Sequence, residues 1–462
     1  MIPDIPERYK SLKMLEEAQI CWLTNDKMAG RYIVHHLLNN SSNDKRLQFD
    51  LLQLYGQWMA ESQSENPNKI LTNYLLKSLS VMQELEEKSF QDLNDVFKMY
   101  HIVANFADVH YEKMQTYIKS TEFERKVGHK TKSKENARQL NTNLKKLNAD
   151  EKRALAIFER QSKIDEAEIE STYNHRNMYC QLAMKYYLYG LQYSDMNNAM
   201  VFRVISMWLN NQTIADVNDL LEKNLLNIPS YKFIDVLPQL VPHLSSDAQD
   251  TFERQIYNIV KRCAEEHPHH TLPIILALAN SDRDDKYTEV SINASSKDHR
   301  VQGATKLIQE LKKDPHLEDV IEKMDTLSDA LTELAYVVPP KTVNNKVYPI
   351  PSECKINQIK NFNISVPTCS MPVRRNRIYD DLVKVHSFSE EYTFVGGINL
   401  PKKISCKGSN GVTYSLLVKG KDDMRQDAVM QQVFTIMNRL LQTSRETSKL
   451  QIRTYKVNCD KY

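Results

Sequence analysis

Between Pro67 and Pro229 the chain contains no proline and only two glycines, Gly128 and Gly190. Proline breaks helix interiors and glycine weakens them. Their scarcity over so long a stretch commits it to helix almost throughout. A single helix of that length is not a globular solution, so the stretch must fold back on itself. Breaks are expected near Asn94-Asp95, His129, Asn148-Ala149-Asp150 and Ser194-Asp195. Residues 1–284 read as stacked antiparallel helices, an α-solenoid of irregular repeats with no fixed period.

From Pro339 the texture changes. Pro339, Pro340, Pro349, Pro351, Pro367 and Pro372 sit among Asn, Ser, Lys and Val. That is the composition of loop or extended chain. Residues 285–384 thus read as a helical segment followed by a proline-rich linker. Beyond it the period becomes strand-like. Ile404 and Cys406, then Val412, Tyr414, Leu416 and Val418, alternate on either side of Gly408-Ser409-Asn410-Gly411. Asn-Gly between such runs signals a hairpin. A helix and a further strand, Gln451 to Val457, complete a small lobe over 385–462. The fold class is mainly α: a solenoid followed by an α+β lobe.

Composition narrows the function classes. The fractions of hydrophobic residues, 41%, and charged residues, 26%, are those of an ordinary globular protein. A net charge of +2 gives no bulk electrostatic argument for nucleic acid or membrane binding. The seven cysteines are scattered, with no Cys-x-x-Cys pair, which argues against a disulfide framework or a zinc site. The N-terminus has no apolar signal core. The longest clearly apolar run, Leu272 to Ala279, is too short to span a bilayer.

The stretch from Val418 to Phe434 carries the most chemistry. Leu416-Leu417-Val418 delivers Lys419 at a strand end, a turn follows, and Asp422, Asp423 and Asp427 crowd the first turns of a helix. Carboxylates there complement the helix dipole. A compact ammonium steered by such an acid suits the gripping of nucleotide phosphates. The charges alone fit an exposed lysine beside an ordinary acidic helix start equally well. Gly396-Gly397, before Ile398-Asn399-Leu400, could bring backbone close to an anion, although a plain turn is the simpler reading. It is neither a Walker A loop nor a Gly-x-Gly-x-x-Gly loop. His267, His269 and His270 fit no standard zinc spacing and read as structural. The basic run from Lys119 to Arg153 carries Leu140, Leu144 and Leu147 at helical spacing and reads as a solvated amphipathic helix. Tyr186, Tyr187, Tyr189 and Tyr193 read as inter-helix packing.

These residues resemble the phosphoinositide-kinase-like protein kinases. The core Asp422-Asp423-Met424-Arg425-Gln426-Asp427 is similar to the motif shared across that group, where Leu is more usual than Met424. The extension Asp427 to Phe434, and Gly396 to Lys402, resemble the ataxia-telangiectasia-mutated (ATM) branch. Segments farther back do too, including His267 to Leu272, Ser206 to Leu209, Ile228 to Phe233, Trp58 to Glu61 and Tyr117 to Glu124. The resemblance implies that the solenoid is the end of a FAT-type helical region and that 385–462 is most of a kinase small lobe. It implies ATP with Mg or Mn as cofactor. Lys419 would contact the phosphates, Asp422 or Asp427 would orient it, and Gly396, Gly397, Ile398, Asn399 and Leu400 would stand at the glycine-loop position. For the complete protein it implies Ser/Thr phosphorylation preferring a following Gln, nuclear signalling of DNA double-strand breaks with a cytoplasmic pool allowed, break-sensor proteins as partners, and a homodimer. Direct DNA contact is disfavoured, and no membrane association is expected.

The departure from the pattern weighs as much. The 462 residues contain no Asp-Arg-His or His-Arg-Asp triplet and no metal-binding acidic segment after the small lobe. No catalytic or metal-ligating residue is therefore assigned. The chain is expected to be a kinase fragment or an incomplete sequence, inactive alone. A non-catalytic helical scaffold for protein partners is the alternative, and a lipid kinase fragment a more distant one.

Overall fold

The computed structural model describes residues 7–40, 44–85, 93–141, 149–193, 200–247, 249–281, 283, 287, 298–338, 347–396, 400–420 and 424–457. The chain divides into two compact units, Met1–Leu220 and Leu221–Tyr462.

The first unit is helical. Its elements are α1 (Glu7–Leu23), α2 (Lys27–Asn40), α3 (Lys45–Ser62), α4 (Pro67–Ile70), a π-helical turn at Leu71–Leu75, α5 (Leu76–Glu84), α6 (Leu93–Ile118), α7 (Thr121–Asn141), α8 (Ala149–Tyr193) and α9 (Met200–Leu209). α10 (Ala215–Asn224) follows. The 45-residue α8 runs antiparallel to α6 and α7. Its Tyr186 and Tyr189 rings meet Tyr100, and Tyr179 stacks on His110. Asp108, nearly buried, accepts from Tyr187 and from Arg203 of α9. The tyrosines do pack between helices.

The expected break at His129 is absent, and α7 continues through Gly128 and His129. A glycine costs a helix only about 1 kcal/mol. Ion pairs from Lys126 to Glu168 and from Lys130 and Lys134 to Glu166 hold α7 along α8. The chain breaks instead at Lys119-Ser120, where Ser120 Oγ accepts from the Phe123 amide. Asn94-Asp95 falls inside the first turn of α6, and α8 begins at Ala149. Ser194-Asp195 lies outside the described residues.

The second unit combines helices and one sheet. A 3₁₀ segment, Ser230–Val236, leads through α11 (Leu237–Leu240) to α12 (Thr251–Glu266), α13 (Pro268–Ala279), α14 (His299–Leu311) and α15 (Pro315–Tyr336). Asp250, Asp298 and Asp314 cap α12, α14 and α15 by accepting backbone amides. The strands are β1 (Val347–Pro349), β2 (Lys360–Ser365), β3 (Lys384–Phe388), β4 (Glu391–Phe394), β5 (Lys402–Gly408) and β6 (Thr413–Val418), followed by α16 (Met424–Leu441). All pairings are antiparallel. β5 pairs with β6 on one edge and with β3 and β4, end to end, on the other.

Three expectations need correction. β1 and β2 come from the stretch read as linker, so the sheet begins before residue 385. Proline there marks strand ends, as at Pro349, where no ladder amide is needed. Residues 451–457 form no strand. Their backbone is taken by side chains of α16: Asn438 exchanges bonds with the Ile452 carbonyl and amide, and Gln431 accepts from the Tyr455 amide. The helices α12 and α13, expected within the solenoid, lie in the same compact unit as the sheet.

Candidate nucleotide-phosphate site

The hairpin that carries Lys419 is set by its turn. Gly408 and Val412 close it through the Gly408 amide at 2.8 Å, Asn410 Oδ1 accepts from the Val412 amide, and Gly411 sits at φ 79°. Only glycine takes that conformation without strain. The register pairs Lys402 with Val418, Ile404 with Leu416 and Cys406 with Tyr414. Ile404, Cys406 and Leu416 are buried, so this face of the hairpin packs inward, while Leu417 and Val412 are exposed. Lys419 emerges just past the end of β6.

There Lys419 meets one of the two acids that spacing offered. Lys419 Nζ lies 2.9 Å from Asp427 Oδ2, joining the strand end to the first turn of α16. The pair is partly exposed, at 23% and 37% of side-chain area, and so remains open to a ligand. Asp422 lies outside the described residues, as do Gly397, Ile398 and Asn399. Of the loop between β4 and β5, Gly396 has open space around its Cα, and Leu400 is half exposed at φ 46°. The Val395 amide donates to the Pro401 carbonyl and closes that loop. Lys419 and Asp427 line a cavity of about 720 Å³, together with Leu416 and Val418 of β6, Leu331 of α15 and Leu276 of α13.

Sequence reasoning missed Lys402. It is 4% exposed, its ammonium donates to the Ala335 carbonyl in the last turn of α15, and it faces the Tyr392 and Phe394 rings at 5.9 and 5.8 Å. Burial lowers its pKa to about 8. The signal available was its place in phase with Ile404 and Cys406 on the buried face of β5.

The three histidines form a tyrosine-centred cluster. His267 is fully buried between Ser230 Oγ (3.0 Å from Nε2) and the Tyr379 hydroxyl (2.6 Å from Nδ1). His270 Nε2 bonds the Met371 carbonyl, and His269 Nδ1 is buried without a hydrogen-bond partner among the described residues. Burial, reinforced by the charge of His270, pushes His267 and His269 down to about 4, and His270 is lowered too. The rings are neutral near pH 7. Among the described residues no group of three His, Cys, Asp or Glu side chains is arranged to hold a metal.

Comparison with known proteins places this geometry. A "Phosphatidylinositol 3- and 4-kinase" family profile matches residues 413–461, and a "Serine/threonine-protein kinase ATR-like, HEAT repeats" profile matches 216–313. Serine-protein kinase ATM of Sus scrofa is 32% identical over 471 residues, covering 96% of this chain and 15% of the pig protein. Serine/threonine-protein kinase tel1 of Schizosaccharomyces pombe is 29% identical and also covered to 15% of its length. The chain thus spans about one seventh of the relatives it matches. The "FAT and kinase domain of CtTel1" shares the fold, with a TM-score of 0.77 at 22% identity, over 97% of this chain and 30% of that one. On sequence and fold together, the chain belongs with the ATM and Tel1 serine/threonine protein kinases, as a stretch of their helical region running into their kinase domain.

Proposed function

We propose that this chain is part of an ATP-dependent protein kinase that phosphorylates Ser or Thr, and that Lys419, steered by Asp427, grips the nucleotide phosphates. The observation that carries the proposal is the 2.9 Å ion pair between a strand-end lysine and a carboxylate on the following helix. Kinases use such a pair to hold the lysine against the phosphates while metal ions neutralise charge developing on the transferred group. The residues present supply the phosphate-holding half of this chemistry, with a cation and its orienting acid, and Gly396 and Leu400 stand at the ends of the loop between β4 and β5. ATP with Mg or Mn is the cofactor this reading implies. The named relatives are protein kinases, which favours protein over lipid substrates and disfavours a purely scaffolding role. Gln after the phosphorylated residue, DNA-break signalling in the nucleus, break-sensor partners and a homodimer belong to the same proposal. A CtTel1 dimer of C2 symmetry supports the last of these.

An ATP acyl-phosphate probe tests the assignment directly, since it transfers its acyl group to a lysine lying against the phosphates. Lys419 should be acylated by the probe and protected by excess ATP. In the longer kinase, Lys419→Ala should lower the rate on the order of 10²–10⁴-fold with little change in melting temperature. Probe labelling that ignores ATP, or near-normal activity in Lys419→Ala, refutes the proposal.

A further inference from the structure

No side chain of α16 is fully buried. Several of its apolar residues face outward: Val429 is 53% exposed, Met430 48%, Met437 44% and Leu440 62%, while Ala428, Phe434, Ile436 and Leu441 are half-buried. The helix that carries Asp427 thus has only half-buried apolar contacts among the described residues. Polar contacts add to them, on two flanks. At about 100° per residue, Asp427, Gln431 and Asn438 fall within about 40° of one another. They bond Lys419, the Tyr455 amide and the Ile452 backbone. Gln432 and Arg439 share a second stripe, about 120–140° around from Asp427. Both reach the same residue: Arg439 Nη1 lies 2.6 Å from Asp235 Oδ2, and Gln432 donates to the Asp235 carbonyl. Gln239 adds a longer bond to Gln432, at 3.4 Å.

Asp235 is well placed to anchor. It stands in the 3₁₀ segment Ser230–Val236 between Ile234 and Val236, both buried. The segment is tied to α12 and α13 by Ser230, which bonds Glu266 and His267.

We infer that Asp235 is a positioning residue for the phosphate site: by holding Arg439 and Gln432 it fixes the placement of α16 that brings Asp427 to Lys419. The inference rests on the proposed role of Lys419 only for its functional consequence, since the placement itself concerns α16. The contacts to Asp235 are partly exposed, so they set the helix without locking it, and a change in the helical segment around residue 235 is transmitted to the lysine.

Acylation of Lys419 by a small neutral reagent, read by mass spectrometry against Lys69, tests this in the 462-residue chain. Asp427→Asn should raise the Lys419 rate by removing its partner. Asp235→Asn should raise it about two- to fivefold, the range of one exposed ion pair. Arg439→Gln should do the same, and the double variant should do no more than either single one, because both remove one interaction. Asp235→Glu should keep the parent rate. Amide exchange across 424–441 should rise with Lys419 reactivity. An unchanged Lys419 rate in Asp235→Asn, with a raised rate in Asp427→Asn, overturns the inference, as do additive effects in the double variant. The ATP acyl-phosphate probe separates the two ideas: loss of ATP-protected labelling in the parent, with the neutral-reagent pattern intact, sinks the nucleotide reading and leaves the positioning role standing.

Discussion

Acid should destabilise the second unit through its buried histidines. His267 and His269 are held at about 4 in the folded protein, against 6.5 when free. Between those values the unfolded chain binds protons that the folded chain refuses. Stability is therefore fully present above pH 6.5 and is lost as the pH falls toward 4. The fall is worth about 3 kcal/mol for each ring at full protonation, and about 2 kcal/mol for each at pH 5. His270, also lowered, adds in the same direction. His269→Leu is the informative substitution. It removes a ring whose Nδ1 is buried without a partner among the described residues, so no hydrogen bond is lost from that atom. At pH 7.5 the variant should lie within about 1 kcal/mol of the parent, and at pH 5 it should be more stable by about 2 kcal/mol. His267→Gln should instead cost about 1–3 kcal/mol at pH 7.5, because it breaks the bonds to Ser230 and Tyr379, and that cost should shrink by about 2 kcal/mol at pH 5, where the titrating ring is gone. Native-state hydrogen exchange of the Leu272–Leu278 amides, corrected for intrinsic rates, reads the unit directly. All three tryptophans, Trp22, Trp58 and Trp208, lie in the first unit, so their fluorescence serves as a separate control. If His269→Leu leaves the slope between pH 6.5 and 4.5 unchanged, the ring is not the titrating group and the argument fails.

Three further outcomes follow from other sites. Lys402, lowered to about 8 from 10.5, should make the parent gain stability between pH 8 and 10.5, by up to about 3 kcal/mol, while Lys402→Met shows no such rise; equal slopes in urea melts of the two proteins would exclude a buried ammonium. Asp108→Asn should cost the first unit about 2–4 kcal/mol, read by tryptophan fluorescence, since it removes the nearly buried charge facing Arg203 and one of the two oxygens shared by Arg203 and the Tyr187 hydroxyl; a loss under 1 kcal/mol would contradict that reading. Tyr379→Phe should speed amide exchange in 369–381 by removing the hydroxyl that meets His267 and the Arg374 amide, and unchanged exchange would show that the loop is held elsewhere.

The local physics of the chain was legible wherever one rule acted alone. The absence of proline and near-absence of glycine after Pro67 pointed to helix, and α6 to α8 are helix. Asn410-Gly411 between alternating runs pointed to a hairpin, and β5 and β6 form it. What was not legible depended on partners distant in sequence. Gly128 and His129 looked like a break because propensity was weighed without the row of acids on α8 that meets the lysines of α7. The segment 451–457 has a strand's pattern, yet a strand requires a ladder, and the side chains of Gln431 and Asn438 occupy its backbone instead.

The candidate site divides in the same way. Lys419 and the acids could be found by spacing because a strand end and a helix start lie next to each other in the chain. Spacing could not choose among the acids, since a turn of unknown shape intervenes; the fold brings Asp427 to Lys419 at 2.9 Å. Asp235 and Arg439 carry no local signal at all, and Lys402 carries only its phase with Ile404 and Cys406 in β5. A lysine in a strand and an aspartate in a short helical turn look like ordinary surface residues until the fold brings Ala335 to one and α16 to the other. Those contacts join residues 67 and 204 positions apart. They also tie the small sheet and its helix to the helical segment, so the stretches that sequence reads as scaffold and linker supply contacts to the elements that carry Lys419 and Asp427.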